Sequence, residues 1–434
     1  MPTKDQVREV LERTRSYFVN SLLPFWMDNS PDHQFGGFLS YFDRNGKPTG
    51  ETTKTFLMQI RMLFTMSHAH RAGYGNGRCA ELAKMAADFI LDNYWDRENG
   101  GWFWIADRKG NLINKDKVGY GQCFGIYAFS EYFLATGDPR GREMAERSYA
   151  AVCKHMVDTR HGGFLELMQA DWQPARPGIY GGDRKSMDVH MHMMEAWTTL
   201  YEMTGHPTHR RRLLEIIDLI LTRMLRPEDG TGYMQFTLDF TPLPAIIFAV
   251  SWGRDAKPSD GLARPLNATS PGHNVELAWL LLHAAEILGV PRQTYAEVVR
   301  RISDHCLRYG IDHEFGGVFA DTPADGPTTL YEKQFWQQAE VLIGMLDAFT
   351  LLGDEKYWKA FQNVHDFLFS KMINLPAGGE WFERVDRQGN PIDDALGHGW
   401  KICYHTVRSM IETIQRLEQI LSTVTHAPGA NTRA

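Results

Sequence analysis

Six times along the chain a glycine-rich, aromatic-rich segment interrupts otherwise helical sequence, and this repeat limits the possible folds more than any other feature. The copies read HQFGGFLSYFDRNGKP from His33, NGGWFWIADRKGNLI from Asn99, HGGFLELMQADWQP from His161, DGTGYMQFTLDFTP from Asp229, HEFGGVFADTPADGP from His313 and GGEWFERVDRQGNPI from Gly378. Each opens with glycine for a tight turn and alternates aromatic or β-branched residues as a short strand does. Most then close on an Asp/Asn/Gly cluster suited to a hairpin. The copies lie roughly 60 to 85 residues apart, room for two helices and a hairpin, and a closed ring of six units follows more naturally than an open stack.

A chain of 434 residues exceeds the usual limit for one core, about 250 to 300 residues. The repeat argues for a single domain all the same, because no Pro/Ser-rich linker or compositional break separates the units. We expect one catalytic domain over residues 1–422 and a flexible tail over 423–434 (TVTHAPGANTRA). A hydrophobic content of 43% with twelve tryptophans points to a large core and an aromatic-lined cavity, and a net charge of −7 argues against nucleic acid or an anionic membrane as partner. No signal-peptide pattern opens the chain and no apolar run reaches the roughly 18 residues that span a bilayer. The five cysteines are scattered without CxxC spacing, as free thiols in reducing surroundings would be. A cytoplasmic monomer or homodimer is the expectation.

Between the hairpins the periodicity predicts twelve helices, over 5–23, 54–72, 79–95, 120–136, 141–157, 187–204, 208–225, 273–289, 292–309, 333–352, 355–371 and 400–421. The even-numbered ones are the more apolar, as in VELAWLLLHAAEIL (275–288), whereas the odd ones carry charged faces, as in AEVVRRISDH (296–305). Those polarities require an inner ring of even helices wrapped by odd ones, an all-α (α/α)6 barrel with short β-hairpins on the active-site rim. Every even helix follows a hairpin directly, so polar residues in its first turns converge on that rim.

The unusual polar residues sit at those positions. Arg61 lies in the apolar stretch TKTFLMQIRML, and Tyr120 and Gln122 open the fourth helix. In KSMDVHMHMMEAW, Asp188, His192 and Glu195 share a face, while His190 is rotated away from them. His273 and Glu276 stand at i and i+3, an arrangement in which a carboxylate can raise the basicity of an imidazole. The tenth helix offers Trp336 and Glu340, and the twelfth offers Trp400, Lys401, Tyr404, His405 and Arg408. Tryptophans at the cavity mouth beside polar groups make a platform for a sugar ring. No HExxH, P-loop, GxGxxG or zinc spacing occurs, and the expectation is no metal and no cofactor. Two histidines on opposite inner helices suit proton abstraction next to a carbonyl and return of a proton to the other face. Arg61, His192 and the helix N-termini would stabilise the enediolate between those steps.

The segments KVGYGQCFGIYAFSEYFLATGD (117–138), SMDVHMHMMEAW (186–197), SPGHNVELAWLL (270–281), FWQQAEVLIGML (335–346) and WKICYHTVRSMIE (400–412), in this order, resemble the N-acylglucosamine 2-epimerase family, most of all its cellobiose 2-epimerase branch. The resemblance spans about Val7 to Ile420 and implies an (α/α)6 barrel that acts as a cofactor-independent isomerase on a sugar. It implies His273 and His405 as the acid/base pair and Glu276 as a support for His273 that also binds the sugar. It further implies that His192 polarises the C1 oxygen or assists ring opening and that Arg61 holds the enediolate. Tyr120, Asp188, Trp336, Glu340 and Trp400 would then line the pocket. Asp188 replaces the Asn usual in the cellobiose branch, Phe335 the first of its paired tryptophans, and Cys403 its proline. Free glucose or mannose therefore stays open beside a cellobiose-type disaccharide, as do an N-acyl sugar and an aldose–ketose isomerisation. A glycoside hydrolase or a non-catalytic sugar-binding protein is a more distant reading.

Overall fold

In the computed structural model, which describes residues 1–248 and 262–425, four lysines recur in one context, each two residues ahead of an inner helix. Lys54 precedes α2 (Phe56–Arg71), Lys117 precedes α4 (Gly119–Thr136), Lys185 precedes α6 (Met187–Thr204) and Lys333 precedes α10 (Phe335–Leu352). Their ammonium groups are buried against Asp32, Asp96, Asp158 and Asp312 at 2.9, 2.6, 2.7 and 3.1 Å. Each also donates to a carbonyl of the next hairpin, those of Arg108, Ala170, Leu238 and Arg387. One side chain thereby staples two neighbouring hairpins at the start of a helix.

The remaining inner helices are α8 (Pro271–Leu288) and α12 (Tyr404–Thr425). The outer ones are α3 (Arg78–Asn93), α5 (Pro139–His155), α7 (Pro207–Arg223), α9 (Ala296–His305), α11 (Glu355–Phe367) and α1, which runs Lys4–Tyr17 and continues through a π turn, Phe18–Leu22, into Leu23–Asn29. Each inner helix packs on the next, and α12 closes on α2, so the ring is complete and the fold is an (α/α)6 barrel. Burial follows the expected polarity. α4 is buried without a break from Gly119 to Tyr132, whereas α7 buries one stripe, His209, Leu213, Ile216, Ile217 and Ile220.

The residues just before α2, α4, α6, α8 and α10 pair as short antiparallel strands with the following hairpin, Lys54–Thr55 against Ile105–Ala106 for example. For this reason α2 and α10 begin two residues later than the periodicity predicts. α12 begins at Tyr404 instead of 400, which leaves Trp400 and Lys401 in the preceding turn, where Lys401 donates to the carbonyls of Trp381, Ala395 and Leu396. The expected tail from Thr423 is helical as far as Thr425, and the rest of it lies outside the described residues.

A second set of pegs ties the hairpins to the inner helices. Gln59 accepts from the Phe38 amide at 2.8 Å and donates to its carbonyl at 2.9 Å; Gln122 does the same for Trp102, and Gln338 for Val318. Asn274 accepts from Gly232, and His190 accepts from Phe164 at 3.0 Å while its Nδ1 donates to the Ser186 carbonyl. Gln122 and His190 are therefore part of the frame, not of the cavity. Gly37, at φ +65°, shows why glycine recurs at the hairpin tips, since a Cβ there would come within 2.6 Å of the Gln59 amide oxygen. Among the described residues, no helix is long and apolar enough to cross a membrane.

If the staples hold the ring, Lys117→Met leaves Asp96 buried without its counter-charge and should lower unfolding free energy by about 3 to 5 kcal/mol, read by urea denaturation. A loss below about 1 kcal/mol, the size of an exposed pair, would contradict that role.

Candidate active site

The inner helices deliver their first and second turns to a cavity of about 360 Å³ on the hairpin rim. Its wall contains Arg61 from α2, Tyr120 from α4, Asp188 and His192 from α6, His273 and Glu276 from α8, Trp336 from α10 and His405 from α12, with Trp400 from the turn before α12. Nine of the ten site residues that the family resemblance implied thus meet in one place. Trp336 packs on both imidazoles, its ring centre 4.5 Å from that of His273 and 5.9 Å from that of His405. Both histidines open on the cavity, with 28% of the His273 side chain and 8% of the His405 side chain exposed.

Two expectations need correcting. Glu340 does not face the cavity. It lies beneath His405, accepting at one oxygen from His405 Nδ1 at 2.6 Å and from Arg408 at 2.7 Å, and at the other from the Trp279 indole at 3.0 Å. Glu276 does not support His273 either, because its Oε1 is taken by Arg408 at 2.9 Å while its Oε2 is buried with no hydrogen-bond partner. Spacing of i and i+3 allowed the Glu276–His273 contact, but a full cation arriving from α12 competes better for a carboxylate than a neutral imidazole does. The carboxylate beside His273 is instead Asp188, 3.5 Å from its Nε2 and 3.4 Å from His192 Nε2.

The three histidines differ in charge for identifiable reasons. Burial opposes protonation of His192, but Asp188 on one nitrogen and Glu195, 2.8 Å from the other, overcome it and lift its pKa to about 10. His192 is an imidazolium, and it lies 3.0 Å from the Tyr120 hydroxyl, which accepts from Arg61 at 2.7 Å. For His405, burial outweighs Glu340, and the nearby cations Arg61 and Arg408 add to it, so the pKa falls to about 3. Its Nδ1 proton is held by Glu340, which leaves the Nε2 lone pair available as a base. His273 is also lowered by burial, against the pull of Asp188.

Glu276, Glu340 and His405 bring ligand atoms within 4.8 Å of one another, the kind of cluster that could hold a metal ion. The positive charge facing both carboxylates is already supplied by Arg408. Sequence reasoning missed Gln334, Glu383 and His398, which also line the cavity from the rim, because strand and turn residues there carry no periodic signal. It also left Arg408 out of the site, although a fixed charge within an inner helix was a visible sign.

Imidazole ¹⁵N spectra should show His192 still charged at pH about 8 and His405 neutral at pH about 5; titration of both near the ordinary value of about 6.5 would contradict the electrostatic picture.

The sequence profile described as N-acylglucosamine 2-epimerase (GlcNAc 2-epimerase) matches residues 36–409. A cellobiose 2-epimerase of Bacteroides fragilis is 27% identical over 402 residues, which cover 91% of this chain and 95% of that protein. An N-acylglucosamine 2-epimerase of Bos taurus is 26% identical, with 99% of this chain and 95% of that one covered. The structure of a cellobiose 2-epimerase from Bacillus thermoamylovorans superimposes with a TM-score of 0.84 at 23% identity, covering 94% of this chain and 100% of the other, and shares the fold.

Proposed function

Because the chain belongs to the N-acylglucosamine 2-epimerase family, we propose that it is an isomerase that interconverts glucose- and mannose-configured sugars at C2 by proton transfer between His405 and His273. The observation that carries this reading is the placement of the two imidazoles in one cavity wall, both packed on Trp336. His405, neutral and with its Nδ1 proton fixed by Glu340, takes the C2 proton of the open-chain aldose. One member of the pair has to enter turnover protonated, and Asp188 at 3.5 Å makes His273 the one that can hold that charge. The resulting enediolate forms beside two fixed positive charges, Arg61 and His192, which need no rearrangement to stabilise it. Proton return from His273 to the other face of C2 gives the epimer. Its return to C1 would give a ketose instead, so an aldose–ketose isomerase differs from this proposal only in that last step.

Two neighbouring spaces bear on the substrate. The cavity adjoins a larger one of about 730 Å³ that shares Arg264, Gln334, Glu383, His398 and Trp400 with it, and this favours a disaccharide whose reducing end reacts. An apolar recess of about 190 Å³, walled in part by Leu167, Met187, Val189, Ile246 and Phe248, adjoins Tyr120, Asp188 and His273 and favours a second reading, a sugar with an N-acyl group at C2. A hydrolase is disfavoured: it needs two carboxyl groups flanking the bond, and of those near the cavity Glu195 and Glu340 are bonded to Arg408 and to histidines below it, while Asp188 sits between His192 and His273, which leaves Glu276 without a carboxyl partner.

The test is NMR of cellobiose, glucose, mannose and N-acetylglucosamine incubated with the protein in deuterated water. At least one sugar should exchange its C2 hydrogen and yield the C2 epimer, with His273→Asn and His405→Asn each slower by at least about 100-fold. Retention of the C2 proton in every sugar, or full activity in both variants, would overturn the proposal; ketose as the main product would replace epimerisation with isomerisation.

A further inference from the structure

Beneath the cavity, one guanidinium lies among three carboxylates. Arg408 Nη2 donates to Glu276 at 2.9 Å and to Glu340 at 2.7 Å, and its Nη1 donates to Glu195 and to the Tyr404 hydroxyl. Two of these carboxylates are themselves imidazole partners, Glu340 of His405 and Glu195 of His192. We infer that Arg408 is a positioning residue that holds Glu195 and Glu340 as acceptors for the two histidines and leaves Glu276 to present a protonated oxygen to the substrate. This rests on the proton-transfer reading above.

Charge balance supports it. The groups that face this cluster are Arg61 from α2, Tyr120 and Tyr127 from α4, Asp188, His192 and Glu195 from α6, His273 and Glu276 from α8, Glu340 from α10 and Tyr404, His405 and Arg408 from α12. Three cations, Arg61, His192 and Arg408, meet three anions, Asp188, Glu195 and Glu340, all buried except Asp188, which is 27% exposed in the cavity wall. A fourth negative charge would have no counterpart at that depth. Glu340 carries the charge, because its shared oxygen receives both His405 and Arg408, whereas Glu276 has Arg408 alone. Burial and the neighbouring Glu340 accordingly push the Glu276 carboxyl up, out of the ordinary carboxylate range. Its unpartnered Oε2 belongs to a residue of the cavity wall, and a carboxylic acid there is a hydrogen-bond donor for a sugar oxygen.

A lysine at 408 cannot bridge three carboxylates from one planar group. Arg408→Lys should lower kcat by roughly 100-fold, normalised to folded protein by near-ultraviolet circular dichroism, with KM changed by less than about 3-fold. Arg408→Met removes a cation that disfavours protonated His405, so the acid limb of kcat/KM should move to higher pH by at least about one unit. If Arg408→Met does not fold, Arg408→Gln, which removes the same charge and keeps a hydrogen-bonding side chain, should show the same direction of shift. Wild-type kcat in Arg408→Lys, or an unmoved acid limb in the folded variants that remove the charge, overturns the inference. His405→Asn, measured alongside, separates this from the parent reading: if it stays active the two-histidine reaction fails, and if it is inactive while Arg408→Lys behaves as wild type only the role of Arg408 fails.

Discussion

The architecture depends on burying an ammonium group next to an aspartate at the start of an inner helix. Such a pair is costly to desolvate, and it persists only where further acceptors complete the shell of the lysine. Here those acceptors are carbonyls of two different hairpins, as at Lys185, which donates to Asp158, to Gly162 of its own unit and to Leu238 of the next. One contact therefore sets the turn, the spacing between adjacent turns and the first residue of the helix together. The departures follow the same logic. Ahead of α8 the lysine is replaced by Thr269, and Arg226 takes over by donating to the carbonyls of Gly232, Leu266 and Ala268. Ahead of α12 the aspartate is missing, and Lys401 is surrounded by carbonyls with Glu380 at 3.7 Å.

Because the staples align the six helix starts, residues at equal depth on different helices form layers. The layer in the first turn or so contains Tyr120, Asp188, His192, His273, Trp336 and His405, all in the cavity wall. One turn deeper come Glu195, Glu340 and Arg408, at i+3 or i+4 from residues of the upper layer, where the helical period brings them directly beneath. The cavity wall thus meets its ligand with imidazole, hydroxyl and indole groups beside the charged Arg61 and Asp188, while Glu195, Glu340 and Arg408 lie below, out of contact with solvent.

This layering explains what could be read from the sequence and what could not. The repeat of glycine and aromatic residues, together with the alternation of apolar and amphipathic helices, contained the ring, since both signals are local and periodic. The convergence of Arg61, Asp188, His192, His273 and His405 was legible for the same reason, as each sits near a helix start. The partners of those residues were not. Whether Glu276 turns to His273 on its own helix or to Arg408 on another is decided across the barrel axis, and no spacing along one helix carries that information. Glu340 has the spacing of a pocket residue beside Trp336, yet the side chain of His405 comes between it and the cavity. Lys54, Lys117, Lys185 and Lys333 were in plain view at equal offsets, and only their burial distinguished them from ordinary surface lysines.

The same cross-barrel contacts make the two imidazoles unequal, and in the proposed reaction that inequality has a use. A pair of identical bases would carry a single shared proton on either one with equal probability, so half of the singly protonated molecules would be set for the wrong direction. His405 is set between cations contributed by α2 and α12, whereas His273 is the more exposed and has Asp188 beside it. Burial lowers both, and the first arrangement adds to that penalty while the second partly offsets it, so in the proposed reaction a proton added to the pair favours His273 over His405. Transfer through the substrate reverses that distribution, and the greater exposure of His273 gives solvent a route to restore it before the next turnover.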